Sequence, residues 1–224
     1  MRFRIAAIVA SSALTFAVVA IAAPPKEGSA PPPPTFTIKP VVKGTAPAHK
    51  YTQAQISRGE TLIRLAGCND CHTPMMFDAQ RGVPLPQMER MLSGHPEGAP
   101  DPQSKLAPGD QAVVGPTFTA FALPFGVVYA ANLTPDLETG SGGWTEEAFF
   151  RMFRTGKHLG GAGRPILPPM PWASFAKASD EDLRSVFAYL RSIPPIKNKV
   201  PEPKVPEPAF QMVNKVNSMM LMAP

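Results

Sequence analysis

The chain has 224 residues, room for one large domain or two small ones, and a hydrophobic fraction of 44% is enough to bury a core. Disorder throughout is therefore excluded. The formal charge of +5 is not a basic surface: residues 50–195 hold 13 Lys plus Arg against 14 Asp plus Glu, so the excess lies in the two ends. With no base-stacking motif beside it, nucleic-acid binding is excluded as well.

Arg2 and Arg4 precede an apolar run over residues 5–23, and Ala20-Ile21-Ala22 supplies a small-x-small cleavage pattern. Residues 1–22 read as a signal peptide. If retained uncleaved, the same run is long enough to anchor the chain in a bilayer, giving membrane association through the N-terminus. Either way the remainder is exported, which places it in the periplasm. Many of the 29 prolines crowd into residues 24–47 and 194–208. Residues 23–49 therefore read as an extended Pro-rich linker, 50–195 as the globular domain and 196–224 as a Pro-rich tail.

Three helices are legible inside the domain. Thr52 and Gln55 form a capping-box pair, and Ile56, Gly59, Leu62, Ile63 and Ala66 share one face, so a first helix runs from Thr52 to about Gly67. A second begins after Trp144, with Thr145 as cap, Glu146 and Glu147 at its positive end, and Gly156 as its stop. The third is capped by Ser179, carries Leu183, Val186, Phe187 and Leu190 as its apolar stripe, and ends at Pro194-Pro195. Between His72 and Asn132 there is little periodicity; only residues 121–131 (FALPFGVVYAA) hint at a short strand, made irregular by Pro124 and Gly126.

The chemistry sits directly after the first helix. Cys68-Asn69-Asp70-Cys71-His72 is C-x-x-C-H, the attachment signal for a c-type haem. Two thiols at this spacing reach the two vinyl groups on the porphyrin edge, and the next residue sets its imidazole beneath the iron. The alternatives are a disulfide or half of a zinc site. Only 2 cysteines exist, so a four-cysteine zinc site is impossible, and a redox C-x-x-C has no need of the following His. One covalent haem c on Cys68 and Cys71, with His72 as an iron ligand, is the expectation.

The second iron ligand must come from farther along. His49, His95, His158 and the 11 methionines are the candidates. Met75 and Met76 stand too near His72, Met152 lies on an apolar helix, and the methionines from 212 to 222 sit in the tail. Met170 differs, because Leu167-Pro168-Pro169-Met170-Pro171-Trp172 holds a thioether at a fixed point between two helices. Packing is the bland reading of Met170, and His158 is its rival as ligand.

These motifs together resemble a family. C-x-x-C-H is followed by Asn132-Leu133-Thr134-Pro135-Asp136, by Thr139-Gly140-Ser141-Gly142-Gly143-Trp144, by Pro169-Met170-Pro171 and by Ala188-Tyr189-Leu190-Arg191-Ser192. That order resembles class I c-type cytochromes, nearest to the haem modules in the cytochrome c subunits of periplasmic alcohol and sugar dehydrogenases. The resemblance covers about residues 52–195. It implies an all-α, class I cytochrome c-like helical domain around one haem, with a loop-rich insertion. It also implies Met170 as the second ligand, close packing of Gly59 near Tyr189, and a Gly115-Pro116 carbonyl that accepts a hydrogen bond from His72. Asn132, Trp144 and Arg164 are the implied partners of the haem propionates.

Two features depart from the family pattern. The dehydrogenase subunits carry three such modules where this chain has one, and residues 84–114, including Met91-Leu92-Ser93-Gly94-His95-Pro96, are an insertion. The insertion reads as a surface loop over one haem edge, or else as a docking element. The functional expectation is electron transfer rather than catalysis, in the respiratory chain, with a dehydrogenase or a terminal oxidase as redox partner. The alternatives are an electron-accepting subunit of a dehydrogenase complex and, from a different class, a peroxidase or gas-binding protein with an open iron site.

Overall fold

The computed structural model describes residues 51–103, 111–158 and 163–222. The expected signal peptide, the linker and His49 lie outside the described residues. Helix α1 (Gln53–Leu65) starts where its sequence says it should: Thr52 Oγ1 accepts from Gln55 N, and the Gln55 side chain accepts from Thr52 N at 2.9 Å. That reciprocal pair satisfies main-chain donors that no helical carbonyl can reach. At the far end Gly67 takes a left-handed φ of 65°, which turns the chain out of α1 and straight into the five-residue α2 (Cys68–His72).

Helices α3 (Glu146–Thr155) and α5 (Asp180–Ser192) also begin on the expected caps, Thr145 and Ser179. A short α4 (Trp172–Ala176) lies between them. The frame is the pairing of α1 with α5, the most extensive contact between any two elements. Gly59 makes it possible. A Cβ at that position would stand 1.9 Å from Ser185 O and 2.8 Å from Tyr189 Cβ, so the two helices meet backbone to backbone. Ile63, Leu183, Phe187 and Leu190 fill the seam, joined by Phe149 and Phe153 of α3 and by Trp172. All of these are buried.

The expectation of an all-α domain needs correction. Helices dominate, but the segment between α2 and α3 holds two small antiparallel sheets. Strands β1 (Met75–Asp78) and β2 (Val83–Pro86) form a hairpin, while β3 (Val113–Val114), β4 (Ala120–Leu123) and β5 (Gly126–Tyr129) form a three-stranded meander. β4 and β5 fall largely within the expected 121–131 segment, whose β-branched and aromatic residues suit a half-buried pleated surface. The domain is mixed around a helical frame.

Asn198, just past α5, ties the insertion down. It is buried, and its Nδ2 donates to Ser93 O at 2.7 Å and His95 O at 2.9 Å. Its Oδ1 accepts from Glu97 N and Arg90 Nη2. The part of residues 84–114 that this side chain holds is thus pinned to the helical frame.

Residues 196–224, expected as a Pro-rich tail, carry a further helix, α6 (Glu207–Met222). Lys204 first exchanges main-chain hydrogen bonds with Val127, at 3.1 and 2.8 Å. Helix α6 then packs on α3 and α4, with buried Asn217 bonded to Trp172 and Gly156, while buried Val213 packs with Val128 and Leu167. Pro208 does not oppose the helix, because the first turn has no use for its missing N–H. Among the described residues no helix is long and apolar enough to cross a membrane.

The closeness of α1 to α5 makes Gly59 intolerant of any side chain. Gly59→Ala should destabilise the fold by about 3 kcal/mol through overpacking. The midpoint of urea denaturation, followed by circular dichroism, measures it.

Candidate functional site

The left-handed turn at Gly67 places Cys68, Cys71 and His72 on α2, hard against the end of α1. Residues three and four apart are neighbours on a helix surface, so both thiols and the imidazole share one region of α2. Cys68 packs on the core around Phe187, and Cys71 is half-buried. Both thiols are free. Burial pushes the Cys68 thiol up to about 11 and raises that of Cys71 as well. Dithiol redox motifs lower a thiol pKa instead, so this environment is not theirs. Nor do the three side chains converge: among the described residues no three His, Cys, Asp or Glu groups gather as they would around a metal ion.

His72 is buried, and its Nδ1 lies 2.7 Å from Ala131 O. A carbonyl can only accept, so Nδ1 carries the proton and Nε2 keeps its lone pair. Burial lowers the imidazole pKa, with the Ala131 bond opposing that shift, so the ring stays neutral. This corrects the expectation for Gly115-Pro116. Gly115 instead turns the chain between β3 and β4, its N–H donating to Ala120 O and its carbonyl accepting from Phe118 N.

Ala131 is itself well held. His95 N donates to Ala130 O at 2.9 Å, and Leu133 N donates to Leu92 O at 2.9 Å, so the insertion braces the segment on both sides of the acceptor. Gly94 N also donates to His72 O, and Leu92 N to Thr73 Oγ1. Nothing in the sequence could have marked Ala131, because a main-chain carbonyl has no residue signature.

Met170 borders the same core cluster as Cys68. It sits on the loop between buried Leu167 and buried Trp172, with Pro168, Pro169 and Pro171 exposed around it. His158 and His95 are the other described candidates, and His95 Nε2 is buried without a hydrogen-bond partner among the described residues. The His158 ring meets Trp144 edge to face at 5.1 Å, and the His158 main-chain N–H donates to Arg164 O at 2.8 Å. His95 is fully buried, bonded to Thr119 Oγ1 through Nδ1 and tilted against the Tyr129 ring.

Two of the three expected propionate partners therefore lie together, Trp144 and Arg164, with His158 between them. Burial lowers the pKa of the Arg164 guanidinium, and Glu202 works against that shift. Asn132 is a correction. Its Nδ2 donates to Ile196 O at 2.8 Å and to Thr139 Oγ1, and its Oδ1 accepts from Thr134 N and Oγ1. With its hydrogen-bonding capacity spent on the fold, Asn132 has nothing to offer a ligand.

Comparisons with known proteins find cytochrome c subunits of dehydrogenases among the relatives. The cytochrome c subunit of alcohol dehydrogenase (quinone) from Gluconobacter oxydans is 30% identical over 162 residues, 71% of this chain and 26% of that protein. The gluconate 2-dehydrogenase cytochrome c subunit of Pantoea cypripedii is 33% identical over 156 residues, 69% of this chain and 27% of that protein. The chain resembles a cytochrome c haem module. A diheme cytochrome c-type protein of Cereibacter sphaeroides adds 25% identity over 141 residues, 63% of this chain and 37% of that one. No family model matches. The module spans well under half the length of the curated relatives it matches.

His95 gives the module a testable acid sensitivity. Burial lowers its pKa, Arg90 adds to that effect and Asp101 opposes it. The folded pKa lies below the unfolded value near 6.5, so the unfolded chain takes up the proton first as the pH falls. The neutral-His95 contribution is thus complete above that value and is lost on the acid side. His95→Gln should reduce the loss of stability between pH 7 and pH 5, by up to about 1.4 kcal/mol per pH unit, in paired denaturation series.

Proposed function

We propose that this protein is a periplasmic electron carrier with one covalent haem c, attached through Cys68 and Cys71 and held by His72 and Met170. The observation that carries the reading is the His72 imidazole: buried, neutral, and committed through Nδ1 to Ala131, so that only Nε2 can act as a donor. Two free thiols on the same helical turn and a thioether on the border of the same core complete a donor set that fits a c-type haem.

Bound there, a haem supplies a reversible one-electron couple. The rest is the work of the chain. His72 gives a ligand whose orientation and basicity are set by the Ala131 carbonyl. Met170 would give a weak sulfur donor that favours the reduced state, and with His72 and Met170 both held by the iron no coordination site would remain for a substrate. The core around Phe187 and Trp172 excludes water. Trp144 and Arg164 are the groups that would receive the propionates.

Residues 1–22 deliver residues 50–195 to the periplasm or tether them at the membrane, with residues 23–49 as the spacer. The redox partner is a dehydrogenase or a terminal oxidase, met across a small transient interface. Similarity to two dehydrogenase cytochrome subunits favours a more specific version, in which the chain accepts electrons as a subunit of such a complex.

Acid–acetone extraction should leave the pigment on the polypeptide, and intact mass should show one haem per chain. Cys68→Ala with Cys71→Ala should abolish it. Extractable haem, or two haems per chain, would overturn the reading. Co-purification from membranes then separates a free carrier from a dehydrogenase subunit.

A further inference from the structure

Helix α6 crosses the loop that presents Met170. Asn217 lies in that contact, 4% exposed, with Nδ2 donating to Gly156 O at 3.2 Å and Ile166 O at 3.0 Å, and Oδ1 accepting from Trp172 Nε1 at 3.3 Å. Both amide donors and the acceptor are used. The partners lie on either side of Met170: Ile166 leads into its loop, Trp172 leaves it, and Gly156 closes α3. One turn earlier, buried Val213 packs with Leu167. Met212 and Val216 line a groove with Met170 itself.

The loop needs such a cover. Three of its residues are prolines with no N–H to anchor, and the Met170 amide has a single long bond, to Leu167 O at 3.3 Å. Its own main chain therefore gives Met170 little support. A thioether is a neutral and weak ligand, so its hold on iron depends on how firmly the chain keeps the sulfur in place.

We infer that α6 is a clamp on the Met170 loop and that Asn217 is its positioning residue, holding the sixth ligand in place without touching the cofactor. This rests on the reading of Met170 as that ligand. Loosening the loop penalises the reduced state more, since the thioether is a better donor to iron(II) than to iron(III), so the potential falls. Small external ligands also gain access.

The experiment uses the full-chain holoprotein and three readouts: the far-red sulfur-to-iron(III) absorption band, the rate of carbon monoxide binding to the reduced form, and the redox potential. Asn217→Ala should weaken the band, lower the potential and raise the carbon monoxide rate about tenfold, the scale set by losing buried hydrogen bonds. Trp172→Phe keeps a buried aromatic ring but removes the bond to Asn217 Oδ1 together with part of the indole volume, so it should shift all three readouts in the same direction. Lys215→Ala, on the exposed face of α6, should change none of them. If Asn217→Ala does not fold, Trp172→Phe decides alone. The clamp is overturned if Met170→Ala abolishes the band while Asn217→Ala and Trp172→Phe leave band and carbon monoxide rate at the wild-type level. If Met170→Ala itself changes nothing, the ligand assignment has failed, and the clamp with it.

Discussion

The backbone-to-backbone contact of α1 with α5 at Gly59 sets the frame for everything else in this fold. Because the helices touch at Ser185 and Tyr189, the end of α1 is fixed relative to the core, and α2 begins only two residues beyond it. The left-handed turn at Gly67 passes that placement on to Cys68, Cys71 and His72 without a flexible linker. A motif that must present two thiols and an imidazole to one rigid, planar partner gains from such a short path. Each added free residue would bring conformational entropy to be lost when the partner is bound.

The insertion is best understood from the same frame. Its residues from Leu92 to His95 bond to His72 O, Ala130 O and Leu133 N, and Asn198 ties Ser93 O and His95 O back to the end of α5. The segment is therefore the wall that holds Ala131 O against His72 Nδ1. Neither a loose surface loop nor a docking element describes this inner edge. The β1–β2 hairpin is different in character, with Met76 and Phe77 largely exposed.

How much was legible follows from how local each signal is. The boundaries of α1, α3 and α5 were readable because Thr52 with Gln55, Thr145 with Gly156, and Ser179 with Pro194 act within a turn of the residues they cap. The C-x-x-C-H motif was readable for the same reason, since its chemistry needs a fixed spacing along one helical turn. Three features were not. The acceptor for His72 is a main-chain carbonyl far along the chain, and the saturation of Asn132 appears only when residues 196–198 come back beside it. Helix α6 was hidden by the prolines before it, although Ala209, Val213 and Asn217 recur every fourth residue, the spacing of one buried helical face.

These placements divide the site into two halves held in different ways. On the His72 side, main-chain hydrogen bonds do the holding, from Ala131 and from Leu92, Gly94 and His95 of the insertion, and main-chain bonds among packed segments yield only when the segments themselves part. On the Met170 side the loop's own main chain contributes little, and side chains of a helix after α5 supply the restraint. A substitution can remove such a side chain without disturbing the α1–α5 frame. The division therefore separates two properties that a cytochrome must reconcile. On the proposed reading, the His72 side would be kept constant to secure attachment, while small changes along α6 would adjust how tightly the Met170 sulfur is held, and with it the potential, without altering the residues proposed to carry the haem.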